Sequence, residues 1–239
     1  MKFPEPLIAA TLLKRYKRFL ADVELDSGKQ LTIHTANTGA MTGCAVPGSR
    51  IWISNSHNPA RKYPYSWELS STVSGALVGI NTGWANKLVY EAIETDIIDE
   101  LDPAPKIQTE VPYGQEGSRI DILLTLDTGQ QCYIEVKNVT ASFEDKAAAF
   151  PDAVTQRGTK HLRELERIVL ADKVCKHRGI LLFCVQRNDI DRVRPASEID
   201  PVYADTLKQV ADSGVEILAY GADVSPQEIK LNRRLDVIF

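Results

Sequence analysis

Ser118-Arg119-Ile120-Asp121-Ile122-Leu123-Leu124-Thr125-Leu126, the turn Asp127-Thr128-Gly129, and Gln130-Gln131-Cys132-Tyr133-Ile134-Glu135-Val136-Lys137-Asn138 form the stretch that decides how the chain is read. Two runs rich in apolar and β-branched residues flank a Gly-closed turn, the pattern of a β-hairpin. A three-residue loop with Gly129 in the left-handed position is a common closure. It pairs Leu126 with Gln130 and, counting back, sets Asp121 opposite Glu135 on one face. Charges in such strands are expensive unless paired or ligating a metal. Two carboxylates about 4–5 Å apart repel by ~3–4 kcal/mol at an effective dielectric of ~20. A divalent cation reverses that sign, and oxygen-only ligands suit Mg²⁺ or Mn²⁺. Lys137 points to the same face as Glu135. There it can orient or deprotonate an attacking water, or neutralise a phosphorane-like transition state. The plainer readings are an edge-strand charge pair for Glu135 and Lys137, and a local pair of Asp121 with Arg119.

Upstream, Trp84–Leu101 reads as a helix ended by Asp102-Pro103-Ala104-Pro105. At about 100° per residue Glu91 lies about 20° from Trp84, on what reads as an apolar face, which makes it a third candidate acid. Glu94 lies further round and is the weaker candidate. Downstream, Asp152–Leu170 reads as a long helix with Gln156, Arg157, Lys160, His161 and Glu164 on one side, a face able to hold a phosphate or position a water. Strands are expected at Ile107–Val111, Arg119–Leu126, Gln131–Val139, Ile180–Val185 and Val215–Tyr220, with a helix at Val202–Ala211. The order indicates an α/β domain with a mixed central sheet over 84–239. Residues 1–83 read differently, as short alternating runs broken by Gly, Pro and Asn, the texture of a small all-β barrel.

Charge changes at the same place. Of the 239 residues, the first 83 carry a net charge of +4 and the remainder −8, an asymmetry that points to two domains with different partners. Lys14-Arg15-Tyr16-Lys17-Arg18-Phe19 and Arg61-Lys62-Tyr63-Pro64-Tyr65-Ser66-Trp67 interleave cations with rings, as a groove does that tracks phosphates and stacks bases. A solvated basic strand edge with core aromatics is the bland account. No apolar run approaches the ~18 residues of a membrane span. The start lacks the apolar core of a secretory leader. Cys44, Cys132, Cys175 and Cys184 show neither C-x-x-C spacing nor nearby histidines, so reduced thiols in a cytoplasmic protein are expected, not zinc ligands.

Asp121 followed across a hairpin by Glu135-Val136-Lys137 resembles the core of the PD-(D/E)XK restriction-endonuclease-like superfamily, although Ile120 stands where that signature has proline. The resemblance implies Glu91, Asp121 and Glu135 as metal ligands, Lys137 as the catalytic lysine, and Gln156 and His161 as auxiliary catalytic residues. A closer match covers nearly the whole chain. His34-Thr35-Ala36-Asn37-Thr38-Gly39-Ala40-Met41, Pro47-Gly48-Ser49, Asn81-Thr82, Asn86, Ser118 to Asp121, Glu135 to Val139 and Phe150 to Leu162 resemble the sugar fermentation stimulation protein A family. That resemblance implies an OB-like barrel joined to a nuclease-like domain, and a DNA-binding regulator linked to sugar (maltose) utilisation. The expected nucleic-acid contacts are Lys14, Arg15, Tyr16, Lys17, Arg18, Arg61 and Lys62 on the barrel, with Arg157 and Lys160 at the scissile phosphate. The alternative is a non-catalytic DNA-binding regulator on a retired nuclease scaffold, since a fold does not fix a function. The family's C-terminal helix-turn-helix would fall near Pro201–Tyr220. Val215-Glu216-Ile217-Leu218-Ala219-Tyr220 alternates and is β-branched, so an ordinary helix–strand unit is expected there instead.

Overall fold

The computed structural model describes residues 1–114, 117–143, 146–171 and 176–239; Cys175 lies outside the described residues. The first six strands are β1 (Ile8–Tyr16), β2 (Leu20–Leu25), β3 (Gln30–His34), β4 (Arg50–Asn55), β5 (Tyr65–Ser71) and β6 (Leu77–Gly79). Their order is β3-β2-β1-β4-β5-β6, and a parallel bridge between His34 and Ser66 joins β3 to β5 and closes a five-stranded barrel. Inward-facing Ala10, Leu12, Ala21, Val23, Ile33, Ile51, Ile53 and Trp67 fill it. The N-terminal OB-like expectation therefore stands. Two of its strands, β1 and the body of β5, were not legible as strands.

A short 3₁₀ turn, Thr82–Trp84, leads into α1 (Ala85–Glu94), which is shorter than the expected helix. Thr95 Oγ1 donates back to Glu91 O, and Asp96 takes a left-handed φ of 52°, so the helix ends well before the prolines. The second sheet is built from β7 (Lys106–Tyr113), β8 (Ser118–Thr125), β9 (Gln131–Val139), β11 (Arg178–Val185), β13 (Glu216–Val224) and β14 (Ile229–Arg234). Its order is β14-β13-β11-β9-β8-β7, with β9, β11 and β13 parallel and the outer strands antiparallel, a mixed sheet as expected. One face carries α1 through Leu88, Val89 and Ala92. The other carries α2 (Gln156–Ala171) and α3 (Pro201–Asp212) through Leu162, Leu165, Tyr203, Leu207 and Val210. The 201–224 region is thus a helix followed by a strand parallel to β11, not a helix-turn-helix.

Three short strands absent from the sequence reading, β10 (Ala147–Phe150), β12 (Arg192–Pro195) and β15 (Asp236–Val237), form a separate parallel sheet. Buried Asp200 ties the two helices of the second face together. Its Oδ1 accepts from Tyr203 N at 3.0 Å as the N-cap of α3, and its Oδ2 accepts from Thr155 N at 2.8 Å just before α2.

Candidate active site

The hairpin closes as its residues dictate. Gly129 has φ 82°, and Leu126 N donates to Gln130 O at 2.9 Å. The ladder then runs from Thr125 opposite Gln131 to Ile122 opposite Ile134, and stops one residue short of Asp121. On the other side of β8, the pairing with β7 skips from Thr109–Ile122 to Val111–Ile120, and Glu110, across from Asp121, holds a left-handed φ of 54°. Arg119 donates to the carbonyl of Glu110 at 2.7 Å. The face alternation slips at the same point. Ile120 and Leu123 join the core under α2 and α3, and Ile122 and Leu124 the core under α1. A bulge-like irregularity of this kind re-aims a side chain. Freed from strict pairing, the Asp121 carboxylate replaces the missing backbone partner: Oδ2 accepts from Val136 N at 2.8 Å, and Oδ1 from Asn86 Nδ2 at 2.9 Å. The side chain of Asp121, not its backbone, reaches across to β9.

Glu135 is buried on β9. Lys137 Nζ donates to its Oε1 at 2.6 Å, and the same oxygen meets His161 Nδ1 from α2. Arg157 Nε donates to His161 Nε2 at 3.4 Å. The second oxygen, Oε2, is buried with no hydrogen-bond partner among the described residues. The hydroxyls of Tyr113 and Tyr203 are also buried and unpartnered among them. Burial and then the charges of Glu135, Glu164 and Asp121 push the Tyr113 phenol up; burial, Glu135 and Asp200 do the same to Tyr203. Both rings therefore border the carboxylates as proton-holding hydroxyls. Neither tyrosine was singled out in the sequence, where each reads as an ordinary strand or helix aromatic.

The two carboxylates are pushed in opposite directions. Burial, then the charge of Glu135, raise Asp121 above its ordinary value of 3.8, against the hydrogen bonds from Val136 and Asn86. Burial works to raise Glu135 as well, but the hydrogen bond from His161 and the charge of Lys137 outweigh it and hold the carboxyl below 4.5. Glu135 thus adds stability above its unfolded value that is lost as pH falls through the lower folded one. Asp121 has the opposite sign: its ionisation weakens the fold as pH rises from 3.8 through its higher folded value. Asp121→Asn keeps an acceptor for Val136 N–H, and the Asn86 amide can turn to accept from the new donor. The substitution is expected to stabilise the metal-free protein by roughly 0.5–2 kcal/mol at pH 7, the usual gain when a functionally strained site is relieved, and not at pH 3. Urea midpoints at the two pH values check this, and a loss of stability at pH 7 would refute it.

Of the expected site residues, Asp121, Glu135, Lys137 and His161 come together. Gln156 is exposed at the first position of α2. Arg157 is held on His161, and Lys160 is half-buried a turn from it. Glu91 does not join them. Its carboxylate pairs with the Met1 ammonium at 2.7 Å and is 45% exposed. The buried face of α1 is Ala85, Leu88, Val89 and Ala92, and Glu91 lies about 120° round from Ala85. Trp84, the reference for the expected face, belongs to the 3₁₀ turn, and its indole donates to Glu68 Oε2 at 2.6 Å. The side chain that α1 does supply is Asn86. No group of three His, Cys, Asp or Glu able to hold a metal is present among the described residues. Asp121 and Glu135 fit a hard cation as two anionic oxygen donors, one with an idle buried oxygen, and water or ligand oxygens would complete the shell.

On the barrel, Lys17 and Arg18 sit exposed in a left-handed β1–β2 turn, with φ 50° and 63°. Lys14 pairs with Asp22 at 3.3 Å while 68% exposed, and Tyr16 donates to the same Asp22 at 2.9 Å. Exposed Lys62 lies over the Tyr63 ring, and Arg61 donates to Ser66 at 3.3 Å. Arg15 is half-buried, and its guanidinium donates to the carbonyls of Arg18 (2.6 Å), Asn37 (3.0 Å) and Gly39 (2.8 Å), which fastens the 36–40 loop. Trp67 is core, donating to Leu69 O at 2.9 Å. Cys44, Cys132 and Cys184 are buried free thiols, and burial first of all pushes Cys44 up to about 11.

A family model described as the sugar fermentation stimulation protein RE domain matches residues 83–228, and one described as the SfsA N-terminal OB domain matches residues 13–80. A sugar fermentation stimulation protein homolog from Thioalkalivibrio sulfidiphilus is 52% identical over 237 residues, covering 99% of this chain and 98% of the relative. One from Pseudomonas savastanoi pv. phaseolicola is 52% identical over 238 residues, with 99% and 98% covered. Among solved structures, that of Pyrococcus furiosus SfsA in complex with Ca²⁺ superposes with a TM-score of 0.87 at 25% identity, covering 100% of this chain and 98% of that one.

Proposed function

The chain belongs to the sugar fermentation stimulation protein family, and from there we propose that it binds DNA and carries, at Asp121, Glu135 and Lys137, a Mg²⁺- or Mn²⁺-dependent phosphodiesterase site. The observation that carries the reading is Glu135 Oε2, buried without a partner beside an Asp121 whose charge the fold disfavours. The archaeal relative is solved with Ca²⁺, a hard cation that takes the same class of oxygen donor, which supports the choice of metal. Asp121 and Glu135 would hold the ion, which when bound acts as Lewis acid toward a phosphate oxygen. In hydrolysis a water oxygen bonds to phosphorus, one ester P–O bond breaks and the leaving oxygen takes a proton. Lys137 holds its protons toward the phosphate oxygens as charge builds on them. His161 keeps Glu135 oriented, and Arg157 on the same helix steadies the phosphate. Lys14, Lys17, Arg18, Arg61 and Lys62 supply the barrel's attraction for the backbone, which the net −8 of the second half requires. The link to sugar (maltose) utilisation would then be a regulatory consequence of DNA binding.

Calorimetric titration of Mg²⁺ into the wild type and Asp121→Ala, with end-labelled single- and double-stranded DNA incubated in parallel, tests this. Metal uptake and cleavage by the wild type are expected, both lost in the variant while DNA affinity is nearly unchanged. DNA binding without metal uptake or cleavage would leave a non-catalytic regulator on a nuclease scaffold.

A further inference from the structure

Between the 36–39 loop of the barrel and the ends of β9 and β10 lies a cavity of about 210 Å³. Ala36, Ala141 and Ala149 form apolar walls, and Asn37, Thr82 and Asp152 supply polar edges. Both halves of the chain are needed to make it. Asn37 donates to Thr140 Oγ1 at 3.3 Å, Thr82 Oγ1 to Ala36 O at 3.4 Å, and Arg15 holds the loop from behind. Asp152 lies against Gly39 so closely that a Cβ there would overlap its Oδ2. Its carboxylate makes no hydrogen bond or ion pair among the described residues. Asn138 in its lining is the next residue of β9 after Lys137, so the cavity lies at the same end of that strand as the carboxylate cluster.

We propose that this cavity takes one unpaired guanine base of the nucleic acid, with Asp152 accepting from the two adjacent N–H donors on its Watson–Crick edge. The inference rests on the phosphodiesterase reading and names what its site selects. At 210 Å³ the space is below the roughly 300 Å³ of a drug-sized pocket and suits a single ring system, not a base pair or a dinucleotide. A phosphate is disfavoured by the charge of Asp152: the lining itself holds no cation, and Arg15 behind the loop is already taken up by the carbonyls of Arg18, Asn37 and Gly39. A planar base fits, because flipped or single-stranded bases are read by edge hydrogen bonds while their faces rest on apolar side chains. Among edges, a carboxylate is acceptor only and has two oxygens to fill. Guanine offers two donors side by side, whereas adenine, cytosine and thymine each offer one group that donates.

The test is equilibrium binding, in EDTA so that nothing is cut, of labelled thymidine 11-mers whose central base is G, A, C or T. The wild type is expected to bind the G strand about tenfold more tightly than the others, the discrimination of one good edge contact. Asp152→Asn, at a half-exposed residue with no hydrogen bond among the described residues, should fold normally by circular dichroism and lose that preference. Ala36→Leu, which fills the slot from the barrel side, should lose it too while the thymidine strand still binds. Equal affinity of the wild type for all four strands, or a G preference that survives in Asp152→Asn, overturns the pocket and leaves the phosphodiesterase reading standing. Failure to bind any strand overturns the pocket, while metal-dependent cleavage of double-stranded DNA decides the phosphodiesterase reading separately.

Discussion

Lys137→Met is expected to slow DNA cleavage by about 10²–10⁴-fold, the range of a positioned proton-holding group, while leaving Mg²⁺ uptake intact or tighter. The side chain is 13% exposed, and its ammonium stands 2.6 Å from Glu135 Oε1. In the metal-free protein it is the cation that partly neutralises the two carboxylates, so an incoming divalent ion competes with it. Removing the competitor favours metal binding. Removing the donor withdraws a charge from the transition state that Arg157, held on His161, only partly replaces. Methionine keeps the length and apolar bulk of the lysine stem, so the packing change is small. Single-turnover cleavage and calorimetry, run on the same preparation, separate the two effects. Loss of metal binding along with cleavage would make Lys137 a brace for Glu135, and an unchanged rate would remove it from the chemistry.

The second large effect is on stability. Arg15→Ala is expected to lower the unfolding free energy by about 2–4 kcal/mol, since it strips three carbonyls of a charged donor, two of them partly buried. The urea midpoint should fall without a change in slope. Arg15→Lys should recover less than half of the loss, because an ammonium cannot reproduce the planar fork. Lys17→Ala with Arg18→Ala is the contrasting pair. Both side chains are exposed in a turn, so stability should shift by no more than about 0.5 kcal/mol. Their loss should instead flatten the salt dependence of DNA binding by about 0.7–0.9 per phosphate contact. A stable Arg15→Ala with weakened DNA affinity would return that residue to the binding face.

The hairpin register was legible because two local rules agreed. The Gly129 turn allows few closures, and a slip of one residue would have turned Ile122, Leu124, Cys132 and Ile134 away from the core beneath α1. Asp121 departs from the count because the ladder with β7 breaks opposite it, at Glu110, and nothing local in Glu110 announces a left-handed backbone. Glu91 was misplaced for a different reason. A helical wheel is only as good as its reference residue, and Trp84 lies outside the helix that the wheel assumed. The cations of 14–18 were visible, but which of them faces solvent depends on a loop more than twenty residues away that no periodicity reveals. The small sheet of β10, β12 and β15 escaped because Ala147-Ala148-Ala149-Phe150, Arg192 to Pro195 and Asp236-Val237 are too short and too weak in strand preference to stand out; their pairing is a tertiary event.

One buried carboxylate, Asp200, serves the starts of both helices on the second face of the sheet. Neither helix can fray from its beginning without loosening the other, so the two constitute a single cooperative opening unit. His161, and through it the orientation of Glu135, is carried by that unit. Amide protons of the first turns of α2 and α3 are therefore expected to exchange with solvent water in step, which native-state hydrogen exchange would check, and disordering the carboxylate cluster would then require the release of two helices.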